Sequence, residues 1–116
     1  MNILVTGGAG YIGSHVVEEL QKSGLTPIVY DNFSTGHEAA VPDEVQPVEG
    51  DIHDVRFAKH IMEQFKIDAV IHFAASSLVG ESMTDPAKYY FNNVEGSLHL
   101  LEAMRGAGVD RMVFSS

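Results

Sequence analysis

Between positions 6 and 13 the chain reads Thr6-Gly7-Gly8-Ala9-Gly10-Tyr11-Ile12-Gly13, directly after the short apolar run Ile3-Leu4-Val5. The glycines satisfy G-x-x-G-x-x-G at 7, 10 and 13 and G-x-G-x-x-G at 8, 10 and 13. Glycine here lets the backbone turn sharply out of a strand, lets a pyrophosphate approach where a Cβ would block it, and lets helix and strand pack closely. A helix opening at such a turn offers free N–H groups and the positive end of its dipole to an anion. A glycine triplet alone serves equally well as a plain strand-to-helix connection. Its context adds Asp31, about 20 residues on from the triplet at the end of a second apolar run, where the dinucleotide fingerprint puts an acid on the adenosine ribose.

Strand and helix signals alternate from there to the end. Tyr11 to Ser23 sets Ile12, Val16, Val17 and Leu20 on one helical face, with Gly24 placed as a C-cap. Pro27-Ile28-Val29-Tyr30 predicts a second strand ending at Asp31, and Asn32 to Asp43 a loop or short irregular helix. Gln46 to Glu49 is a weak third strand, with Pro47 near its start. From Asp54, the positions Val55, Ala58, Ile61, Met62 and Phe65 recur at helical spacing, and Ala69-Val70-Ile71-His72-Phe73 follows as a fourth strand. Asp85-Pro86 opens a long helix to about Arg105, roughly 30 Å at about 1.5 Å per residue, before a fifth strand at Arg111 to Phe114. This alternation predicts one α/β domain over residues 1–116, a doubly wound parallel sheet of Rossmann type in the order 3-2-1-4-5. A substrate domain has no room in a chain of this length, so the expectation is a fragment.

Composition excludes several classes. Seven basic against 16 acidic residues leave a formal net charge of −9, which repels phosphodiester backbones and anionic membrane surfaces, so neither nucleic acid nor membrane is an expected partner. The absence of cysteine removes disulfides and thiolate metal sites and suits a reducing, cytoplasmic setting. No apolar run is long enough to span a bilayer, and the first residues lack the features of a signal peptide.

Other signals are weaker. Gly50-Asp51-Ile52 leaves the third strand at the ligand-binding edge, although a helix N-cap explains Asp51 or Asp54 almost as well. Phe73-Ala74-Ala75 leaves the fourth strand at the same edge. The six histidines, His15, His37, His53, His60, His72 and His99, show no metal-ligand spacing, which points to structural or solvent roles, and no metal site is expected. Tyr89-Tyr90-Phe91 is expected to pack, and no serine sits in a G-x-S-x-G elbow.

The motifs T-G-G-A-G-Y-I-G-S-H, D-N at 31–32, G-D-I at 50–52, I-H-F-A-A at 71–75, V-G-E-S at 79–82 and Y-Y-F-N-N-V at 89–94 resemble the extended short-chain dehydrogenase/reductase family. V-G-E-S followed by D-P-A-K-Y-Y is similar to its UDP-glucose 4-epimerases, and the resemblance spans the whole chain. It implies that Gly7, Gly10, Tyr11, Ile12 and Gly13 hold the pyrophosphate of NAD, and that Asp31 and Asn32, with Ser34 in the same cofactor-binding set, lie at the adenosine ribose. It further implies that Asp51 and Ile52 edge the adenine, that Phe73, Ala74 and Ala75 line the nicotinamide side, and that Asn92 meets the cofactor from the long helix. Many epimerases carry a lysine in the loop after the fourth strand, where this chain has Ser77.

The implied chemistry is transient oxidation of a UDP-hexose at C4, with a catalytic Tyr in Y-x-x-x-K. The chain has no such pair, since Tyr11, Tyr30, Tyr89 and Tyr90 are followed four residues later by His15, Ser34, Asn93 and Val94. No catalytic residue is therefore assigned, and the fragment alone is expected to be inactive. Another nucleotide-sugar enzyme, a 4,6-dehydratase or a UDP-glucuronate epimerase or decarboxylase, and a non-catalytic dinucleotide-binding module remain alternatives. Asp31 favours NAD over NADP, because its charge opposes a 2′-phosphate. Tyr90, Val94, Leu98, Leu101 and Met104 recur at helical intervals, and in the resembled family a helix here joins its neighbour in a two-fold dimer contact, so the resemblance implies a partly exposed stripe and a homodimer or self-associating fragment.

Overall fold

The computed structural model describes residues 1–8, 11–33, 41–42, 44–73 and 86–114, with side chains described throughout except at 11–12 and 86–93. In chain order these form β1 (Asn2–Thr6), α1 (Tyr11–Lys22), β2 (Thr26–Asp31), β3 (Gln46–Glu49), α2 (Val55–Gln64), β4 (Ala69–His72), α3 (Pro86–Ala107) and β5 (Met112–Phe114). The five strands pair in parallel in the order β3-β2-β1-β4-β5, as the alternation predicts.

Both faces of the central strands are covered, while Val113 and Phe114 of β5 are exposed. Leu4, Ile28, Tyr30 and Val70 point to one side, where Ala58, Ile61 and Met62 of α2 and Leu100, Ala103 and Met104 of α3 cover them. Ile3, Val5 and Val29 point to the other, against Val17 of α1 and Val41 and Val45. Two-sided burial is why β1 and β2 are apolar at consecutive positions rather than at alternate ones. Both strand prolines fall where a missing N–H is tolerated: Pro47 on the edge strand, and Pro27 one residue before β3 joins β2.

The helices end alike. Leu25 N donates to Leu20 O at 3.0 Å and Gly24 N to Gln21 O at 3.0 Å, with Gly24 at φ +82. Val109 and Gly108 close α3 in the same way, with Gly108 at φ +78, and Ile67 and Lys66 close α2, with Lys66 at φ +50. Each is a two-bond cap that satisfies the last carbonyls of its helix. Asn2 ties the opposite edge of the sheet, its Nδ2 donating to Phe65 O at 2.8 Å and to Lys66 O at 3.3 Å.

The apolar stripe on α3 is partly exposed, as expected. Val94, Leu98 and Leu101 are exposed, but Met104 is buried beside Leu100 and Ala103, because a 22-residue helix turns that position onto the face packed on α2 and the sheet. Tyr89, Tyr90 and Phe91 lie where side chains are outside the description. Among the described residues no helix is long and apolar enough to cross a membrane.

Candidate functional site

At the carboxyl edge β1, β2 and β4 finish level, with Thr6 in register with Tyr30 on one side and His72 on the other. Backbone bonds continue past the strands: Gly7 N to Tyr30 O at 3.0 Å, Phe73 N to Thr6 O at 2.7 Å, and Gly50 N to Asp31 O at 2.9 Å. The result is a stiff ledge of strand tips. Strand order reverses between β1 and β4, and open α/β sheets bind their ligands at such a switch point.

The glycine turn sits on this ledge. Gly7 has φ +78, a conformation that a side chain resists, and it turns the chain out of β1. A Cβ on Gly13 would stand 2.3 Å from Gly7 O and 2.9 Å from Gly8 Cα, so α1 begins pressed against the turn it leaves. That contact gives the last glycine of both fingerprint registers a direct physical requirement. It also brings the first backbone N–H groups of α1 to the ledge, and no acidic side chain in the first turn of α1 competes for them.

Asp31 is buried at the tip of β2, and its Oδ1 accepts a hydrogen bond from Phe33 N at 2.7 Å. Phe33 stands at φ +58, so the carboxylate closes a tight turn that fixes its own orientation. Asn32 lies inside that turn and is exposed.

The turn after β3 is held from below. Tyr30 OH donates to Asp51 O at 2.7 Å, and a Cβ on Gly50 would lie 2.6 Å from the Tyr30 ring. Burial, and after it the charges of Asp54 and Asp51, raise the phenol's pKa above its ordinary value, so Tyr30 stays a neutral donor. Asp51 Oδ1 accepts from His53 N at 2.8 Å, while Asp54 is the N-cap of α2 and accepts from Phe57 N at 3.1 Å. The capping alternative therefore holds for Asp54, and Asp51 braces the turn. Ile52 reaches α3, where a Cβ on Gly96 would come within 2.5 Å of its Cδ1.

His72 is fully buried at the end of β4. Its Nδ1 meets Thr6 Oγ1 at 2.5 Å and its Nε2 meets Ser97 Oγ at 3.4 Å, linking β1, β4 and α3 beneath the switch point. Burial lowers its pKa from 6.5 to about 4, so the imidazole is neutral. The structural role expected of this histidine is the one it has.

The structure thus brings Gly7, Gly13, Asp31, Asn32, Asp51, Ile52 and Phe73 to one edge of the sheet. Gly10, Ser34, Ala74 and Ala75 lie outside the described residues; Tyr11, Ile12 and Asn92 lie in α1 and α3 with side chains outside the description. Sequence reasoning missed Tyr30 and Gly50 as the support for the G-D-I turn. It also missed that His53 and His99, distant in sequence, meet between the turn before α2 and α3.

The chain matches the model of the NAD dependent epimerase/dehydratase family over residues 3–116. It belongs to that family. Within this epimerase/dehydratase family it is 50% identical over 116 residues to a UDP-glucose 4-epimerase of Lacticaseibacillus casei, covering 100% of this chain and 35% of the relative. To that of Lactobacillus helveticus it is 53% identical, with the same coverage. Among solved structures, the UDP-glucose 4-epimerase of Brucella ovis in complex with NAD superposes with a TM-score of 0.91 at 53% identity, covering 99% of this chain and 35% of that one. The enzyme from Stenotrophomonas maltophila with bound NAD and formylated UDP-arabinopyranose gives 0.92 at 42% identity, covering 100% and 37%. The chain spans about a third of the length of the curated relatives it matches.

Proposed function

We propose that this chain is the NAD-binding part of a UDP-glucose 4-epimerase that acts on UDP-hexoses. The observation that carries the reading is the glycine turn, with Gly13 packed on Gly7 O, and the oriented carboxylate of Asp31 at the tip of the adjacent strand. Gly7, Gly10, Tyr11, Ile12 and Gly13 would hold the pyrophosphate against the N–H groups of α1, and Asp31, Asn32 and Ser34 the adenosine ribose. Asp51 and Ile52 would edge the adenine, Phe73, Ala74 and Ala75 the nicotinamide, and Asn92 would reach the cofactor from α3. When bound, NAD supplies the hydride acceptor for oxidation at the sugar C4 and returns the hydride afterwards. What this chain would contribute is orientation and charge: Asp31 would accept from the ribose hydroxyls and oppose a 2′-phosphate. The proton at the C4 hydroxyl needs a base, and the Tyr-x-x-x-Lys pair that supplies one in the resembled family does not occur in these 116 residues.

The reading includes a cytoplasmic setting, supported by the cysteine-free composition, and homodimerisation or self-association through α3, supported by exposed Val94, Leu98 and Leu101. Calorimetric titration tests the cofactor. NAD should bind more tightly than NADP, and Asp31→Asn should narrow the gap by on the order of 1–3 kcal/mol; equal or tighter NADP binding overturns the assignment. UDP-galactose conversion should be undetectable with these residues alone, and turnover that survives rigorous removal of host enzyme would mean that a base lies among them.

A further inference from the structure

We propose that His53, Glu95 and His99 form a binding site for a borderline transition-metal dication of the zinc type, which ties the turn after β3 to α3. Glu95 and His99 are four residues apart on α3, so they lie one above the other on the same face of the helix. His53 arrives from the turn before α2, and its Nδ1 stands 3.1 Å from His99 Nδ1. One ligand atom from each of the three residues lies within 4.8 Å of the others.

The separation of the two nitrogens is the deciding quantity. Zinc bonds imidazole nitrogen at about 2.0–2.1 Å in tetrahedral geometry, which sets two ligating nitrogens about 3.3 Å apart. The His53 and His99 nitrogens already stand close to that spacing. Their rings meet edge-on, at 79° with centroids 5.3 Å apart, so the nitrogens converge where stacked faces would turn them aside. A bare hydrogen bond between the histidines also explains the contact, but it gives Glu95 no part. Two imidazoles and a carboxylate are the donor set of an intermediate metal, with the remaining position left to water.

The close approach is built into α3. A Cβ on Gly96 would come within 2.5 Å of Ile52 Cδ1 and 3.5 Å of His53 Cε1, so glycine at this position lets the turn lie against the helix. The formal charge of −9 favours accumulation of a dication at the surface. A bound ion would add a tether between α3 and the turn that Tyr30 already holds from below. The inference does not depend on the cofactor assignment.

Titration of the metal-stripped protein with ZnCl2, and separately with CoCl2 in excess Mg2+, tests it. The expected result is saturable binding of one equivalent, with visible Co2+ absorption of a four- or five-coordinate site. Binding should be lost in His53→Ala and His99→Ala, weakened in Glu95→Gln, and unchanged in His60→Ala, whose histidine is exposed on α2 outside the cluster. Circular dichroism spectra of each variant, and a His99→Asn variant, separate loss of the site from loss of fold. Absence of saturable binding, or binding equal in wild type and both folded histidine variants, overturns the proposal.

Discussion

Tyr30 donates its phenol hydrogen to the carbonyl of Asp51 across 2.7 Å, so a core side chain of β2 sets the height of the turn that follows β3. The ring also fills the space that a Cβ on Gly50 would need. Tyr30→Phe keeps the packing and removes the bond, which should cost about 0.5–1.5 kcal/mol in urea unfolding. If that turn edges the adenine, the same variant should also bind NAD several-fold more weakly. Unchanged NAD affinity in a destabilised Tyr30→Phe would separate the turn from the cofactor site.

Gly13→Ala sets two effects against each other. Alanine in a helix interior is worth about 1 kcal/mol over glycine. Here the added Cβ would meet Gly7 O at 2.3 Å, and a backbone atom cannot swing aside as a flexible side chain would. Overpacking of this kind costs typically about 1–3 kcal/mol, so the clash wins. The expected outcome is a net loss of stability and of NAD binding together; a more stable variant would mean that α1 shifts freely.

The three helix caps form an internal comparison. Gly24 and Gly108 take the left-handed position at the ends of α1 and α3, whereas Lys66 takes it at the end of α2 with the same pair of bonds. A side chain pays about 1 kcal/mol or more in that conformation, offset in part by the extra freedom glycine has when unfolded. Lys66→Gly should therefore raise stability by about 0.5–1 kcal/mol, while Gly108→Ala should lower it by a similar amount. Thermal denaturation of both variants checks the pair of signs.

Much of the fold was legible because its signals are local. The apolar runs at Ile3-Leu4-Val5 and Ile28-Val29-Tyr30, buried on both faces, mark a parallel sheet, and Gly24 and Pro86 mark helix ends. The geometry of the candidate site was legible where a motif fixes backbone, as at Gly7, Gly13 and Asp31. It was not legible where contacts span the chain. Tyr30 beneath Gly50 and His53 against His99 are products of tertiary packing, and no spacing rule connects residues 20 or 46 positions apart. Which part of the α3 stripe is exposed was not legible either: periodicity gives an angle around the axis but not the width of the face that neighbours cover, and Met104 is buried while Val94, Leu98 and Leu101 are exposed.

His72 gives the chain a defined acid sensitivity. The folded imidazole, fully buried between Thr6 and Ser97, has its pKa lowered by burial to about 4, against 6.5 in an unfolded chain. Above pH 6.5 neither state holds the proton, and this group adds no pH dependence. Between pH 6.5 and 4 the unfolded chain takes up a proton that the folded one refuses, so stability falls with pH. Below pH 4 both states are protonated and the loss from this residue levels off. Across that window the loss is on the order of 3 kcal/mol. Carboxylates titrate near the lower end of the same range, so the test is a difference between wild type and His72→Asn, with unfolding free energy measured from pH 7.5 to pH 4. The variant should start lower, because the Thr6 contact is altered, and then lose less on acidification. Parallel curves for the two proteins would mean that His72 accepts its proton in the folded state, and that the buried junction of β1, β4 and α3 opens to water.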